Sequence, residues 1–112
     1  MADCLFCKIA KKELKSDVVY EDEKILAFND IAPQSPVHIL VIPKSHIGSI
    51  TELDDYSVLM DLYKVINHLA VEKGIADTGF RVVVNHGRDS GQAVLHLHLH
   101  LLGGRPFSWP PG

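Results

Sequence analysis

His96-Leu97-His98-Leu99-His100-Leu101-Leu102, near the C-terminus, alternates imidazole and leucine with period two. Such alternation marks a β-strand, read over residues 94–102, with one face in a core. The leucines point into that core and the three imidazoles share the other face. Successive residues on one face lie ~6.6 Å apart, so the imidazoles span ~13 Å. Histidine changes charge near neutral pH and serves as base, nucleophile or metal ligand. The chemistry is therefore expected on this strand.

Before this stretch comes Gly87-Arg88-Asp89-Ser90-Gly91-Gln92-Ala93, a glycine-containing loop whose backbone N–H groups can approach phosphate oxygens. Further upstream, residues 80–85 read as a strand ending at Asn85, which is placed to hydrogen-bond the same group. The longest element runs from residue 54 or 55 to 74. Val58, Leu59, Leu62, Val65, Ile66 and Leu69 give it a helical stripe, with acidic residues at its start and Lys73-Gly74 as its stop. Residues 37–42 are a strongly apolar strand stopped by Pro43. Residues 18–21 and 24–29 read as two strands around Asp22-Glu23, and 5–12 as a short helix. The fold class is α+β: a five-stranded, mostly antiparallel sheet with one long and one short helix. The whole chain, 1–112, reads as one domain. Its tail, 103–112, reads as a strap carrying Trp109 and several prolines, with a second subunit as the candidate surface beneath it.

A chain of 112 residues supports one modest core. The net charge of −3 argues against a nucleic-acid-binding face, which needs a basic stripe. No apolar run approaches the ~20 residues of a membrane span, so no membrane partner is expected. The N-terminus lacks a charged segment followed by an apolar one, so the cytoplasm is the expected location. The two cysteines, Cys4 and Cys7, form one CxxC pair. Without a secretory signal that spacing points to a metal site or redox pair rather than a disulfide framework. It suits two zinc thiolates on one turn, and a closed tetrahedral site needs two further ligands.

Besides a purely structural histidine ladder, two chemistries remain open for the histidine strand on these residues alone. Two alternate imidazoles can share a metal, as in a metallohydrolase, although the strand itself carries no carboxylate. Alternatively, His98 acts as a nucleophile on a phosphate while its neighbours hold the oxygens or protonate a leaving group.

The pattern His-apolar-His-apolar-His-apolar-apolar resembles the signature of the histidine triad (HIT) superfamily. Phe28-Asn29-Asp30-Ile31-Ala32-Pro33-Gln34 is similar to its nucleoside loop, and Val37-His38-Ile39-Leu40-Val41-Ile42-Pro43-Lys44 to its central strand. Val83-Val84-Asn85, Gly91-Gln92, Leu102-Gly103-Gly104-Arg105 and Trp109-Pro110-Pro111-Gly112 resemble the Hint (histidine triad nucleotide-binding) branch. The resemblance implies a homodimer, its sheet extended across the two subunits, that hydrolyses the P–N bond of purine nucleoside phosphoramidates. AMP, GMP or their phosphoramidates are the implied ligands, with aminoacyl adenylates as a further possible substrate. It also implies that His98 forms a nucleotidyl-histidine intermediate. His100 and His38 would complete the phosphate site, with His96 at the first triad position. Leu5, Phe6, Ile9, Phe28 and Ile31 match the slot for the base, and Asp30 the carboxylate on the ribose. Asn85, Gly91 and Gln92 match the phosphate and leaving-group side, and Trp109 an aromatic supplied by the partner subunit. Relatives with an N-terminal CxxC resemble zinc binders, which implies Cys4, Cys7, His46 and His96 as ligands.

Two positions depart from the pattern: Ala93 stands where many members have a serine near the leaving group, and Leu95 where an aromatic is common. Two other functions compete. One is a nucleotide-binding module whose output is a partner interaction; the other is a dinucleoside polyphosphate hydrolase, against which the Hint-like tail argues.

Overall fold

The computed structural model describes residues 3–112. In chain order the elements are α1 (Leu5–Ala10), β1 (Val18–Glu21), β2 (Ile25–Asn29), β3 (Val37–Pro43), α2 (Ser57–Glu72), β4 (Phe80–Val83) and β5 (Leu99–Gly103), with 3-10 turns at Ile50–Glu52 and Arg88–Ser90. All strands join one sheet in the order β1-β2-β3-β5-β4, and every neighbouring pair is antiparallel. The α+β expectation of five antiparallel strands with one long and one short helix therefore holds.

Period-two alternation divides the central strands between two layers. Ile25, Ala27, Ile39, Val41, Leu97, Leu99 and Leu101 face α2, where Leu62, Val65, Ile66 and Leu69 meet them. On the opposite face Leu26, Phe28, Leu40 and Ile42 pack against Phe6 and Ile9 of α1. β3 is apolar apart from His38 because it is buried from both sides. Leu62, Ile66 and Leu69 are fully buried, and each contributes roughly 1.5–3 kcal/mol of transfer free energy.

The long helix begins at Ser57, later than the sequence suggests: Tyr56 is its N-cap, and Asp55 lies outside it, its carboxylate accepting the Ser57 N–H at 2.9 Å. Its stop is where Lys73-Gly74 predicts: Gly74 takes a φ of 74°, a left-handed conformation in which glycine carries no Cβ penalty.

The histidine strand requires a correction. Regular pairing begins at Leu99, not at residue 94. The last partner in β3 is Val41, opposite Leu99. Beyond it Pro43 has no N–H to offer, and the Leu97 N–H is taken by the Ile47 carbonyl at 2.6 Å. His96 and His98 nevertheless keep the alternation, so the leucines still enter the α2 core. β4 likewise stops at Val83, two residues short of Asn85.

Candidate active site

α1 lies over the histidine face, and its contacts explain why these imidazoles are buried rather than solvated. His96 is inaccessible and His98 is 7 % exposed. The Phe6 ring meets His98 edge-on with centroids 5.1 Å apart, and it also packs against Phe28 at 5.5 Å and His96 at 6.0 Å.

Backbone groups that can only donate or only accept fix where the ring protons sit. The His96 carbonyl lies 2.7 Å from His98 Nδ1 and can only accept, so Nδ1 carries the proton. In the neutral ring His98 Nε2 is then a bare lone pair. On β3 the reverse holds. The Gln34 N–H donates to His38 Nδ1 at 3.0 Å, which places the His38 proton on Nε2. That N–H in turn donates to His100 Nδ1 at 2.9 Å, so the His100 proton sits on Nε2. The two facing rings, 5.1 Å apart, thus present one lone pair and one donor.

The register permits this pair. Leu40 stands opposite His100 and His38 opposite Leu102, so His38 and His100 are diagonal neighbours on one face. Burial, followed by the neighbouring imidazoles, pushes the His100 pKa down to about 4, against a smaller opposing pull from Asp30. Burial also lowers that of His38, again partly opposed by Asp30, whose Oδ2 lies 3.4 Å from His38 Nε2. Both rings are therefore neutral at pH 7, as the hydrogen-bond directions require.

Outside this pair opens a groove of about 450 Å³. His98 and His100 close one side, while Leu5, Phe6, Ile9, Phe28 and Ile31 supply apolar walls and Asp30 a carboxylate. The structure thus brings the residues expected for a base and a ribose together with His98 and His100, while His38 stands behind His100. Leu14, Lys15, Ser16, Asn29, Leu40 and Val94 also line it, beyond those singled out from sequence. Leu40 was legible, being two residues from His38 on the same strand face. Leu14, Lys15 and Ser16 follow α1 without regular structure and carry no such signal.

Four expected contacts, Gly91, Gln92, Asn85 and Trp109, lie elsewhere in this chain. Gln92 spends its amide on the backbone, donating to the carbonyls of Gly48 and Val94 and accepting the Gly87 N–H. The N–H groups of Gly91 and Gln92 bond back to Arg88 and Gly87, so the loop closes on itself and only Ala93 and Val94 reach the groove. Asn85 is half-buried beyond the end of β4 and is not among the lining residues. Trp109 is 81 % exposed, with the Arg81 guanidinium over its ring at 5.8 Å.

A second cluster lies behind His98. Cys4 and Cys7 Sγ and the Nδ1 atoms of His46 and His96 all fall within 4.8 Å of one another. His96 Nδ1 is 3.3 Å from Cys4 Sγ and 3.5 Å from Cys7 Sγ, and His46 Nδ1 is 3.3 Å from Cys7 Sγ. A tetrahedral zinc ion with ordinary bond lengths holds its sulfur and nitrogen ligands ~3.6 Å apart, so the donor set fits. His96 Nε2 donates to the Pro43 carbonyl at 2.8 Å, which leaves Nδ1 bare and aimed at the sulfurs. Burial pushes the Cys7 thiol pKa up, an effect that a cation would reverse.

Comparison with known proteins identifies the family to which this fold belongs. The HIT domain model matches residues 11–107. The chain belongs to the HIT domain family. It is 47 % identical over 112 residues to an uncharacterized HIT-like protein of Synechocystis, covering 98 % of this chain and 97 % of that one. To a 14 kDa zinc-binding protein of Zea mays it is 50 % identical, covering 96 % and 87 % of the two chains. The crystal structure of a HIT family hydrolase from Legionella pneumophila superposes with a TM-score of 0.96 at 48 % identity, covering 98 % and 100 %.

Proposed function

We propose that the protein is a hydrolase that cleaves the P–N bond of purine nucleoside phosphoramidates through a nucleotidyl-histidine intermediate on His98. The observation that carries this reading is the bare Nε2 of His98 beside the His100 Nε2–H at the closed side of an apolar groove. In this reading the purine lies against Phe6, Ile9 and Phe28, with Leu5 and Ile31 at the rim, and the ribose hydroxyls meet Asp30. The His98 lone pair attacks the α-phosphorus and the P–N bond breaks, its electron pair leaving with the amine, which takes up a proton. The Nδ1–H bond to the His96 carbonyl offsets the positive charge that the ring gains on attack. His100 stabilises a non-bridging oxygen. Water then displaces the histidine and releases the nucleoside monophosphate. Splitting one displacement into two is the advantage of a covalent intermediate.

Two further elements belong to this reading. Cys4, Cys7, His46 and His96 hold zinc; such a closed four-ligand site stiffens the fold and offers no open position for substrate. The sheet continues across a homodimer from the free edge of β4, with the exposed Met60 and Tyr63 of α2 and Tyr56 just before it as apolar contact surface, and the partner's tail brings its tryptophan to the leaving group. The test is hydrolysis of adenosine 5′-phosphoramidate followed by phosphorus NMR. Wild type is expected to release AMP, and His98→Ala to lose activity by ~10³-fold or more. AMP binding without turnover on any phosphoramidate would favour the binding-module alternative.

A further inference from the structure

His96 belongs to both clusters at once. Its ring faces Cys4 and Cys7 through Nδ1 and is locked by the Pro43 carbonyl through Nε2, while its own carbonyl accepts the His98 Nδ1–H. One residue's side chain and main chain thus join the metal-ligand set to the ring that the reaction uses. Phe6 makes a second connection. It sits between Cys4 and Cys7 on α1, and its ring contacts both His96 and His98 while walling the groove.

We propose that Cys4, Cys7 and His46 are positioning residues for His98: a metal ion held by them and His96 sets the orientation and tautomer of the His98 ring and, through α1, the wall of the nucleotide groove. The inference rests on the reading of the groove as a nucleotide site only for its second half. α1 has six residues, too short to hold itself in place by helix formation. Its apolar anchors are Phe6 and Ile9. Without a metal, the polar attachment of its first turn to the rest of the chain is by sulfur–imidazole contacts at 3.3–3.5 Å, while the Cys7 N–H donating to Cys4 Sγ at 3.3 Å only caps the helix. Four metal bonds replace those weak contacts with a rigid centre and fix the His96 ring between the cysteines and Pro43. With the ring fixed, the His96 carbonyl has one direction, and His98 one hydrogen bond to follow.

Position makes the coupling responsive as well as rigid. A surface recess lined by Asp3, Cys4, Leu5, His46, Ala93, Val94 and Leu95 opens beside the cluster. Leu5, Ala93 and Val94 border both this recess and the nucleotide groove. The metal centre is thus reachable from outside through a wall that it shares with the substrate site. Effects of this kind are reciprocal: whatever factor the metal contributes to nucleotide affinity, the nucleotide returns to metal affinity.

The test uses the full chain labelled with nitrogen-15 histidine, loaded with one equivalent of zinc and then stripped with a chelator. Long-range nitrogen–proton spectra report each ring's tautomer without needing a nucleotide. With zinc, His98 is expected as a single Nδ1–H tautomer. Stripped protein is expected to show His98 as a tautomer mixture or an exchange-broadened signal, while exposed His68 keeps its spectrum. AMP affinity is expected to fall by about tenfold on stripping. Should stripping unfold the chain, the zinc dissociation constant measured by chelator competition, with and without saturating AMP, gives the same coupling on folded protein. About tenfold tighter zinc in the presence of AMP is expected there. Identical His98 spectra in both metal states, or zinc affinity indifferent to AMP that does bind, overturns the proposal. Failure of AMP to bind either form counts against the nucleotide reading instead, and the tautomer readout still decides the coupling to His98.

Discussion

His38 and His100 are joined ring to ring, Nε2 to Nδ1 at 2.9 Å, and the backbone N–H of Gln34 sets the direction of the whole chain of protons. A proton added to His100 Nδ1 meets the His38 Nε2–H, which donates and cannot accept it. Burial and the adjacent imidazoles hold His100 at about 4 against an ordinary 6.5. A histidine with a depressed native pKa binds fewer protons folded than unfolded between those values. Its stabilising contribution is therefore complete above pH ~6.5 and is lost as the pH falls toward 4. The predicted loss is up to about 3 kcal/mol. Urea midpoints measured from pH 7 to 4 on wild type and His100→Asn check it, the variant showing the flatter dependence.

Phe6 connects stability to the groove. It is 5 % exposed and touches Phe28, His96 and His98. Phe6→Ala is expected to lower stability by about 3–5 kcal/mol. Phe6→Leu, which keeps most of the volume, should cost less in stability and still weaken nucleotide binding. Thermal unfolding and AMP titration of both variants separate the two effects.

Asp30 offers a test of ribose recognition. One oxygen accepts the Ala32 N–H at 2.9 Å and the other faces the groove near His38. Asp30→Asn is predicted to raise KM for ribonucleotide phosphoramidates by about tenfold, the loss of a charge-assisted hydrogen bond. It should leave 2′,3′-dideoxy substrates nearly unchanged. Equal effects on both would place the ribose elsewhere.

For the cysteine–histidine cluster, elemental analysis is expected to find one zinc per chain. Cys7→Ser is predicted to bind less than a tenth of that, because the thiolate is the stronger ligand and the hydroxyl a poor replacement. Its melting temperature should fall below that of wild type and should no longer respond to chelator.

Much of the fold was readable because period two and period 3.6 were both cleanly expressed. The leucines at 97, 99 and 101 and the stripe on α2 face one another as their spacing requires. Strand ends were less readable. Where β5 begins depends on Pro43 lacking a donor and on Ile47 capturing the Leu97 N–H, a long-range contact with no local sign. Within the site, the residue types of the groove were legible through the resemblance. The proton directions were not, because they are set by the backbone of Gln34, His96 and Pro43, groups that every residue carries. Gln92 shows the converse. Its side chain suits a ligand contact, yet three backbone partners occupy it and make it a clamp on the loop.

In the proposed reaction His98 Nε2 becomes covalently bonded to phosphorus. Rapid mixing with labelled adenosine phosphoramidate, quenching under conditions that preserve a phosphorus–nitrogen bond, and intact-mass analysis test it directly. Wild type is predicted to gain one adenylyl group, acid-labile and mapped to the peptide containing His98, while His98→Ala gains none. An adduct on another residue, or normal turnover by His98→Ala, would contradict the mechanism.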